Sequence, residues 1–352
     1  MSKVSARSVA LVVIARDEAP RLPRLLASVA PFVDRMLVLD TGSRDDTAAV
    51  ARAAGAQVGD FDWCDDFAAA RNAALELAGA DWHVVLDADE WLLEGGSGLA
   101  TLRQLEPDFV GALRIEDRGA ASGGSDWISR VLPGSVRYAG RVHEQPRHAL
   151  PVRRLDVVVG HDGYAPERMA AKRGRNRVLL QAELAAAPAD AYLWYQLGKD
   201  HAVYDEHTEA AAAFERALGM LGAEAWRLDL VARQLYSLKR CARHADALRL
   251  AERLIGVCGE SPDFFFALGD VMLDWAALQP EHGEERLALA RQAWQRCLEI
   301  GERPELPGAV PGRGSWLAAQ NLAVIHEVLG EVAQAEFLRR QYPPPAEERL
   351  GP

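Results

Sequence analysis

Short apolar runs separated by polar turns dominate the first half of the chain. Runs rich in Val, Leu, Ile or Trp predict strands that are covered on both faces, and they lie at residues 8–14, 35–39, 56–58 and 82–86. Apolar residues at helical spacing predict helices between them, from Leu22 to Val29, after Asp46, and over Ala68–Ala78. Strands that alternate with helices predict an α/β unit with a mostly parallel sheet.

The segment from residue 111 to 165 has a weaker periodicity. Three further strands are predicted there, at Gly111–Ile115, Ile128–Leu132 and Val157–Val159. Between the first two, Gly119–Ser125 has the composition of a flexible loop. After Pro166 a basic helix is predicted, which starts near Lys172 and continues through Leu184.

The second half of the chain is helical and repetitive. The first repeat has aromatic, small and apolar residues at regular spacing, namely Trp194, Leu197, Gly198, Ala210, Phe214 and Ala217. This spacing is that of a tetratricopeptide repeat, and three more degenerate copies follow it, around Ala247, around Gly269 and around Ala335. Stacked helix pairs of this kind bury a continuous core, and they serve either to bind a peptide or protein or only to cap a neighbouring domain.

Polar clusters follow three of the predicted strands. They are Arg16-Asp17-Glu18 after the first strand, Asp40 after the second, and Asp87 with Asp89 after the fourth. Ligands of open α/β sheets bind at the carboxyl ends of the strands. The clusters therefore predict a binding site at one sheet edge, with solvated loops as the alternative.

The segment Asp87-Ala88-Asp89-Glu90 concentrates three carboxylates at a strand end. Unpaired burial of these charges would be costly, so a cation is expected beside them. Two Asp at positions i and i+2 can share a hard divalent cation and leave coordination positions for phosphate oxygens. The same pattern is also common in solvated turns.

Two other chemistries fit these motifs less well. Leu39-Asp40-Thr41-Gly42-Ser43 resembles an aspartic-protease signature, but that chemistry needs two such Asp, and only one copy is present. Asp87-Ala88-Asp89 resembles phosphatases with an aspartyl nucleophile, but Trp91 stands where they have Thr or Val.

Composition limits the possible classes of protein but does not indicate a function. The net charge of −11 argues against a general nucleic-acid binder, and 352 residues suffice for two domains. The four cysteines have no paired spacing, which fits a reducing cytoplasm. The apolar run at residues 9–15 is too short to span a membrane and has no cleavage site of signal-peptide type.

Taken together, the motifs resemble family 2 glycosyltransferases with the GT-A fold, in the branch of bacteriocin-peptide glycosyltransferases and related cell-envelope sugar transferases. The resemblance covers roughly residues 8–200. The matching segments are residues 15–18, 38–47, 66–73, 86–90, 138–144 and 161–164.

The resemblance implies a nucleotide-diphospho-sugar donor, with a UDP-sugar as the first choice. Asp40 would contact the base or ribose, with Arg16 and Glu18 lining the same pocket, and Arg71 would lie near the diphosphate. Asp87 and Ala88 would face the ribose side. Asp89 would bind Mn²⁺ or Mg²⁺, and His161 would be a third metal ligand or a diphosphate contact, or else structural.

The resemblance also implies a carboxylate that deprotonates the acceptor. Glu144 is the predicted base, and Asp126 and Asp117 are the reserves. A cation and the Arg71 guanidinium beside the leaving diphosphate would stabilise the charge that it gains in the transition state.

We therefore expect a Rossmann-like GT-A domain at residues 1–165 and an all-α tetratricopeptide-like domain at residues 166–352. The expected activity is metal-dependent, inverting sugar transfer in the cytoplasm to a peptide, protein or envelope-glycan acceptor, without nucleic acid. Homo-oligomerisation stays open. A nucleotidyltransferase, and a non-catalytic scaffold with a decayed transferase domain, are the alternatives.

Overall fold

The protein is described by a computed structural model, in which residues 6–118, 125–162 and 174–345 are placed. The chain divides into two compact units, residues 1–183 and 184–352. Residues 119–124 of the predicted loop and the start of the predicted basic helix lie outside the described residues, as do Gly163 and Tyr164 of the last motif, while Ser125 begins a strand.

The first unit contains one eight-stranded sheet and a two-stranded ribbon. The strands are β1 Val9–Ala15, β2 Arg35–Asp40, β3 Gln57–Asp60, β4 Trp82–Val85, β5 Glu90–Glu94, β6 Val110–Asp117, β7 Ser125–Pro133, β8 Arg137–Ala139, β9 Gln145–Arg147 and β10 Val152–His161. The large sheet has the order β3-β2-β1-β4-β7-β6-β10-β5, and β8 pairs with β9.

The sheet is parallel on one side and mixed on the other. Strands β3, β2, β1 and β4 pair in parallel, as predicted, whereas β7 is antiparallel to both β4 and β6, and β5 is antiparallel to β10. Helices α1 Leu22–Val29, α2 Thr47–Ala53 and α3 Phe67–Ala78 connect the four parallel strands. A parallel pairing needs such a crossover. Between β4 and β10 the six-residue α4, Gly96–Thr101, is the one α-helix among the described residues. Most strand pairs there are accordingly antiparallel, although β6 and β10 pair in parallel.

Two apolar layers enclose the parallel strands. In β1, Val9, Leu11 and Val13 pack in one cluster with the apolar stripe of α1, while Ala10 and Val12 pack in another cluster with α3. This alternation follows from the two-residue period of a strand. Helix α3 begins where the Asp66 carboxylate accepts a hydrogen bond from the Ala69 N–H at 2.8 Å. The buried layers thus fix the strand ends that carry the polar clusters.

Helix α5, Arg175–Ala186, runs across the division between the units, and eight more helices are described after it. They are α6 Ala191–Val203, α7 His207–Met220, α8 Arg227–Arg240, α9 His244–Cys258, α10 Pro262–Leu278, α11 Gly283–Ile300, α12 Trp316–Val328 and α13 Val332–Gln341. Consecutive helices pack as four pairs, which correspond to the four predicted repeats.

Small residues bring the paired helices close together. A Cβ on Gly198 of α6 would lie 2.5 Å from the Phe214 ring of α7, and a Cβ on Gly269 of α10 would lie 2.5 Å from the Trp294 ring of α11. The two pairs therefore use the same glycine-against-aromatic contact, which is the tetratricopeptide-like feature that the spacing predicted. Among the described residues, no helix combines the length and apolar character needed to cross a bilayer.

Candidate active site

The loops that follow β1 and β2 hold each other at the carboxyl edge of the sheet. Asp17 has a left-handed backbone (φ 56°), its N–H donates to Ser43 Oγ at 3.0 Å, and its carboxylate accepts from the Arg44 N–H at 2.7 Å. The Glu18 N–H donates to Thr47 Oγ1 at 2.8 Å. The structure thus brings together two of the predicted polar clusters.

Asp40 is buried and is held by its own turn. Its Oδ1 accepts hydrogen bonds from the N–H groups of Gly42 at 3.0 Å and Ser43 at 2.8 Å. Among the described residues no group donates a hydrogen bond to its Oδ2, so this oxygen is left for a ligand. Nearby, the Glu18 carboxylate pairs with Arg21, and Arg16 is exposed.

The acidic segment after β4 forms a closed turn. The Glu90 N–H donates to the Asp87 carbonyl at 2.9 Å, and the Asp87 N–H donates to Glu90 Oε2 at 2.8 Å. Ala88, Asp89 and Glu90 are buried in this turn. Glu90 then begins β5, a strand that the sequence did not predict, and this pairing with β10 fixes the far side of the turn.

Helix α3 places Arg71 against the turn. The residue is 6% exposed, its Nη2 donates to Asp87 Oδ1 at 2.6 Å, and its Nε donates to Glu144 Oε1. The next residue, Asn72, exchanges two hydrogen bonds with the backbone of Tyr138 in β8, at 3.0 and 2.8 Å. Asn72 attaches the β8–β9 ribbon to α3. Glu144, which precedes β9, therefore contacts the Arg71 guanidinium although the two residues are 73 positions apart in the sequence.

Arg130 of β7 completes the cluster, and it was not predicted. It is 8% exposed, and its Nη2 donates to Asp87 Oδ2 at 2.7 Å and to Glu90 Oε1 at 2.6 Å. The available signal was an arginine inside the apolar run Ile128–Leu132. A buried guanidinium is rarely left unpaired, so this position could have been searched for carboxylate partners.

Burial and charge set the ionisation of the cluster. Burial raises the pKa of Glu90 to about 7; the Arg130 charge opposes this shift, and the smaller effect of the Asp87 charge adds to it. Burial also acts to raise the pKa of Asp87, but Arg130 and Arg71 together hold it well below its ordinary range. Burial acts to lower the pKa of Arg71, but Asp87 and Glu144 keep it well above its ordinary value, so the guanidinium stays charged.

Asp89 and His161 lie at the mouth of the turn. His161 ends β10, and its Nε2 is 3.7 Å from Asp89 Oδ2. At metal–ligand distances of about 2.1 Å, the two groups are within reach of one shared cation. The described ranges contain no group of three His, Cys, Asp or Glu side chains arranged around a metal. Mg²⁺-like ions commonly take only one or two protein ligands and complete their shell with substrate phosphates and water, so the pair fits such an ion.

Three buried donors around the cluster have no partner among the described residues. They are Arg71 Nη1, Arg130 Nε and the Tyr138 hydroxyl. Buried polar groups are normally satisfied, by protein, water or ligand. The site therefore retains capacity to bind further acceptor atoms, beyond the carboxylates that it already contains. Of the reserve carboxylates, Asp126 is exposed on β7, and the side chain of Asp117 lies outside the described set.

The sheet is mixed, and an acidic turn follows β4, the last of its four parallel strands in chain order. These features define a GT-A-like nucleotide-sugar transferase fold. Residues 10–118 match the family model described as glycosyl transferase family 2. The first unit therefore carries a family 2 glycosyltransferase domain, and tetratricopeptide-like helix pairs follow it.

Known proteins are similar to about half of the chain. A tetratricopeptide repeat-containing protein of Synechococcus elongatus is 42% identical over 208 residues, which cover 54% of this chain and 51% of that protein. The prophage-derived glycosyltransferase SunS of Bacillus subtilis is 26% identical over 219 residues, which cover 58% of this chain and 52% of SunS. The chain thus spans about half the length of these curated relatives.

Two solved structures are similar to parts of the chain at low sequence identity. MamA is 15% identical, with 49% of this chain and 88% of MamA covered and a TM-score of 0.39. Glucosyl-3-phosphoglycerate synthase of Mycobacterium tuberculosis, solved with Mn²⁺, UDP and glucosyl-3-phosphoglycerate, is 24% identical. That match covers 32% of this chain and 45% of the synthase, with a TM-score of 0.27.

Proposed function

We propose that the protein is an inverting glycosyltransferase that moves a sugar from a nucleotide-diphospho-sugar to a peptide, protein or cell-envelope glycan. The observation that carries the proposal is the Asp87–Glu90 turn, which lies beside Arg71, Glu144 and His161 at the carboxyl edge of a family 2 domain. Carboxylates, a buried guanidinium and a metal-compatible pair are the groups that transfer from a nucleoside diphosphate needs.

The donor would lie along the loops after β1, β2 and β4. The remaining oxygen of Asp40 suits a base or ribose donor group, and Arg16 and Glu18 border the same loop pair. Asp87 and Ala88 would face the ribose side of the turn. Arg71 Nη1, which lacks a partner in the described part of the chain, suits a diphosphate oxygen. A UDP-sugar is the donor that we would test first.

Asp89 and His161 would hold Mn²⁺ or Mg²⁺ together with the donor phosphates. The bound cation would stabilise the negative charge that the departing diphosphate gains. The chain's own contribution to the same charge is Arg71, whose guanidinium stays ionised beside Asp87. Both contributions grow as the leaving group departs, so they favour the transition state over the bound donor.

Glu144 is the proposed general base. Its hydrogen bond from Arg71 Nε fixes the carboxylate next to the presumed diphosphate position. In the reaction, a carboxylate oxygen of Glu144 takes the acceptor proton while the acceptor atom bonds to the anomeric carbon. The bond from that carbon to the diphosphate oxygen breaks on the opposite face, which inverts the anomeric centre.

The acceptor and the setting are also proposals. The four helix pairs would recruit or orient a polypeptide acceptor, as tetratricopeptide-like repeats present extended binding surfaces. All four cysteines are free thiols, which suits a reducing cytoplasm. Self-association of the chain is an open part of the proposal.

A panel of nucleotide sugars, incubated with the full chain with and without Mn²⁺, tests the proposed function. We expect Mn²⁺-dependent release of a nucleoside diphosphate and free sugar from one donor. Release of pyrophosphate from a nucleoside triphosphate and a sugar phosphate would instead identify a nucleotidyltransferase. No turnover of any donor, with no nucleotide binding, would identify a scaffold.

A further inference from the structure

We propose that Arg130 is a positioning residue of this site, which sets the place of the metal-side carboxylate Asp89 by holding the two ends of the turn that contains it. The inference rests on the proposed function, because it concerns the same donor site. Arg130 itself touches neither end of the Asp89–His161 pair in the described contacts, so it would act through Asp87 and Glu90.

The contacts form a closed ring. Arg130 Nη2 donates to Asp87 Oδ2 and to Glu90 Oε1, and the Asp87 N–H donates to Glu90 Oε2. The Glu90 N–H closes the backbone turn on the Asp87 carbonyl. Ala88 and Asp89 are the two residues between these anchors. One guanidinium on a central strand therefore fixes both ends of a four-residue segment whose third member is the proposed metal ligand.

The two arginines of the cluster have different partners. Arg71 extends from a helix and shares its guanidinium between Asp87 and Glu144. Arg130 extends from β7, between β4 and β6 in the sheet, and directs one nitrogen to both turn carboxylates. If Arg71 turns toward a bound diphosphate, Asp87 keeps its bond to Arg130. In that arrangement Arg130 still contacts both ends of the turn.

Removal of Arg130 would leave the turn with buried carboxylates that repel each other. Glu90 is 2% exposed, and Arg130 is the only cation that the described contacts place on its side chain. A buried charge that loses its partner is strongly unfavourable, so the turn would open to hydrate Glu90. That movement would carry Asp89 away from His161.

The test compares four variants of the full chain: Arg130→Met, Arg130→Lys, Arg130→Met combined with Glu90→Gln, and the control Arg114→Met. Arg114 is a partly exposed arginine of the adjacent strand β6 that pairs only with Glu116 in the described contacts. Two binding measurements use Mn²⁺ alone, by electron paramagnetic resonance, and UDP with Mn²⁺, by calorimetry. Donor hydrolysis gives kcat and KM, and thermal unfolding reports the fold.

We expect Arg130→Met to weaken Mn²⁺ binding by about 10–100-fold, which is the usual effect of losing a residue that orients a metal ligand. Arg130→Lys keeps a cation but not the planar fork, so it should fall between Arg130→Met and the wild type. Adding Glu90→Gln to Arg130→Met removes the unpaired carboxylate and should restore Mn²⁺ affinity in part. Arg114→Met should match the wild type in all readouts.

Wild-type Mn²⁺ affinity and kcat in folded Arg130→Met would overturn the positioning role. So would a loss that Glu90→Gln does not relieve and that follows the fall in thermal stability, since a structural role alone predicts that. If Arg130→Met does not fold, Arg130→Lys with and without Glu90→Gln decides between the same outcomes. A wild type that neither binds UDP nor hydrolyses any donor contradicts the proposed function itself, whereas variants that equal an active wild type contradict only the role of Arg130.

Discussion

Two acidic turns, one on either side of the β1 loop, are held in opposite ways. Asp40, at the end of β2, is fixed by two backbone N–H groups within three residues of its own position. Asp87, at the end of β4, is fixed by Arg71 and Arg130, which lie 16 and 43 residues away. The first turn is a local arrangement, and any side chain of similar shape with a hydrogen-bond acceptor oxygen could form it. The second depends on charge supplied by a helix and a distant strand.

The two turns should therefore respond differently when the carboxylate charge is removed. A carboxylate held by neutral N–H groups keeps its turn when the charge is removed, provided that an acceptor oxygen stays. A carboxylate held between two guanidinium groups in a buried cluster cannot lose its charge without a change in the turn, because each guanidinium is then left with an unmatched charge. Substitutions in the two turns should therefore have different consequences.

The largest effect is expected at Asp89. Asp89→Ala should lower the rate of donor hydrolysis by about 10³-fold or more, because the metal contributes several kcal/mol of charge stabilisation. Excess chelator should have the same effect on the wild type. Asp60→Ala is the control, since Asp60 is an exposed carboxylate at the end of β3. Full activity of Asp89→Ala, or of the wild type in chelator, would remove the metal from the account.

Glu144→Gln should lower the rate of donor hydrolysis by about 10²–10⁴-fold, the usual contribution of a general base. The amide oxygen can still accept from Arg71, so calorimetry should find the affinity for UDP with Mn²⁺ nearly unchanged. Asp126→Asn is the comparison, as the exposed reserve carboxylate. If Asp126→Asn is the slow variant and Glu144→Gln is not, the base assignment moves to Asp126.

Asp40 tests the local turn. Asp40→Ala should weaken UDP binding by about 1.5–3 kcal/mol, because a bound donor group loses its charged acceptor and the turn loses its anchor. Asp40→Asn keeps an oxygen for the Gly42 and Ser43 N–H groups, so it should lose less. Calorimetric UDP affinities of the two variants separate the effect of losing the turn from the effect of losing the negative charge. Equal dissociation constants for wild type and Asp40→Ala would place Asp40 outside the nucleotide pocket.

The smallest effect concerns pH and the long-range turn. The pKa of Glu90 is about 7 in the folded protein, against an ordinary value of 4.5, so the folded state binds a proton more tightly than the unfolded state. The free energy of unfolding should therefore fall as pH rises from about 4.5 to about 7, by on the order of 2 kcal/mol. The depressed pKa of Asp87 acts below this window.

Denaturant titrations of the metal-free protein at pH 5 and pH 7.5 measure this change. Glu90→Gln, which cannot ionise, should show a smaller decrease than the wild type over the same range. An identical decrease in both proteins would mean that Glu90 is ionised at pH 5 in the folded state.

The contrast between the turns also marks how far the sequence could predict the structure. Asp40, the Asp87–Asp89 segment, the parallel strands and the helix pairs follow from local periodicity and motif spacing. The Asn72 amide, the β8–β9 ribbon and Arg130 do not, because their roles depend on contacts across 43 to 73 residues. Strand register beyond β4 is likewise decided by pairing partners rather than by the strand's own residues.

The proposed function requires that the Asp87–Glu90 turn binds a nucleoside diphosphate together with a divalent cation. Calorimetric titration of the wild type with UDP, in parallel with and without Mn²⁺, measures this binding. We predict binding that Mn²⁺ strengthens at least about tenfold, because the cation and the diphosphate would bind to each other in the site and such coupling is typically about 5–150-fold. Asp89→Ala but not Asp60→Ala should lose this gain. The same affinity for UDP in Mn²⁺ and in chelator, with Asp89→Ala equal to the wild type, would contradict the claim.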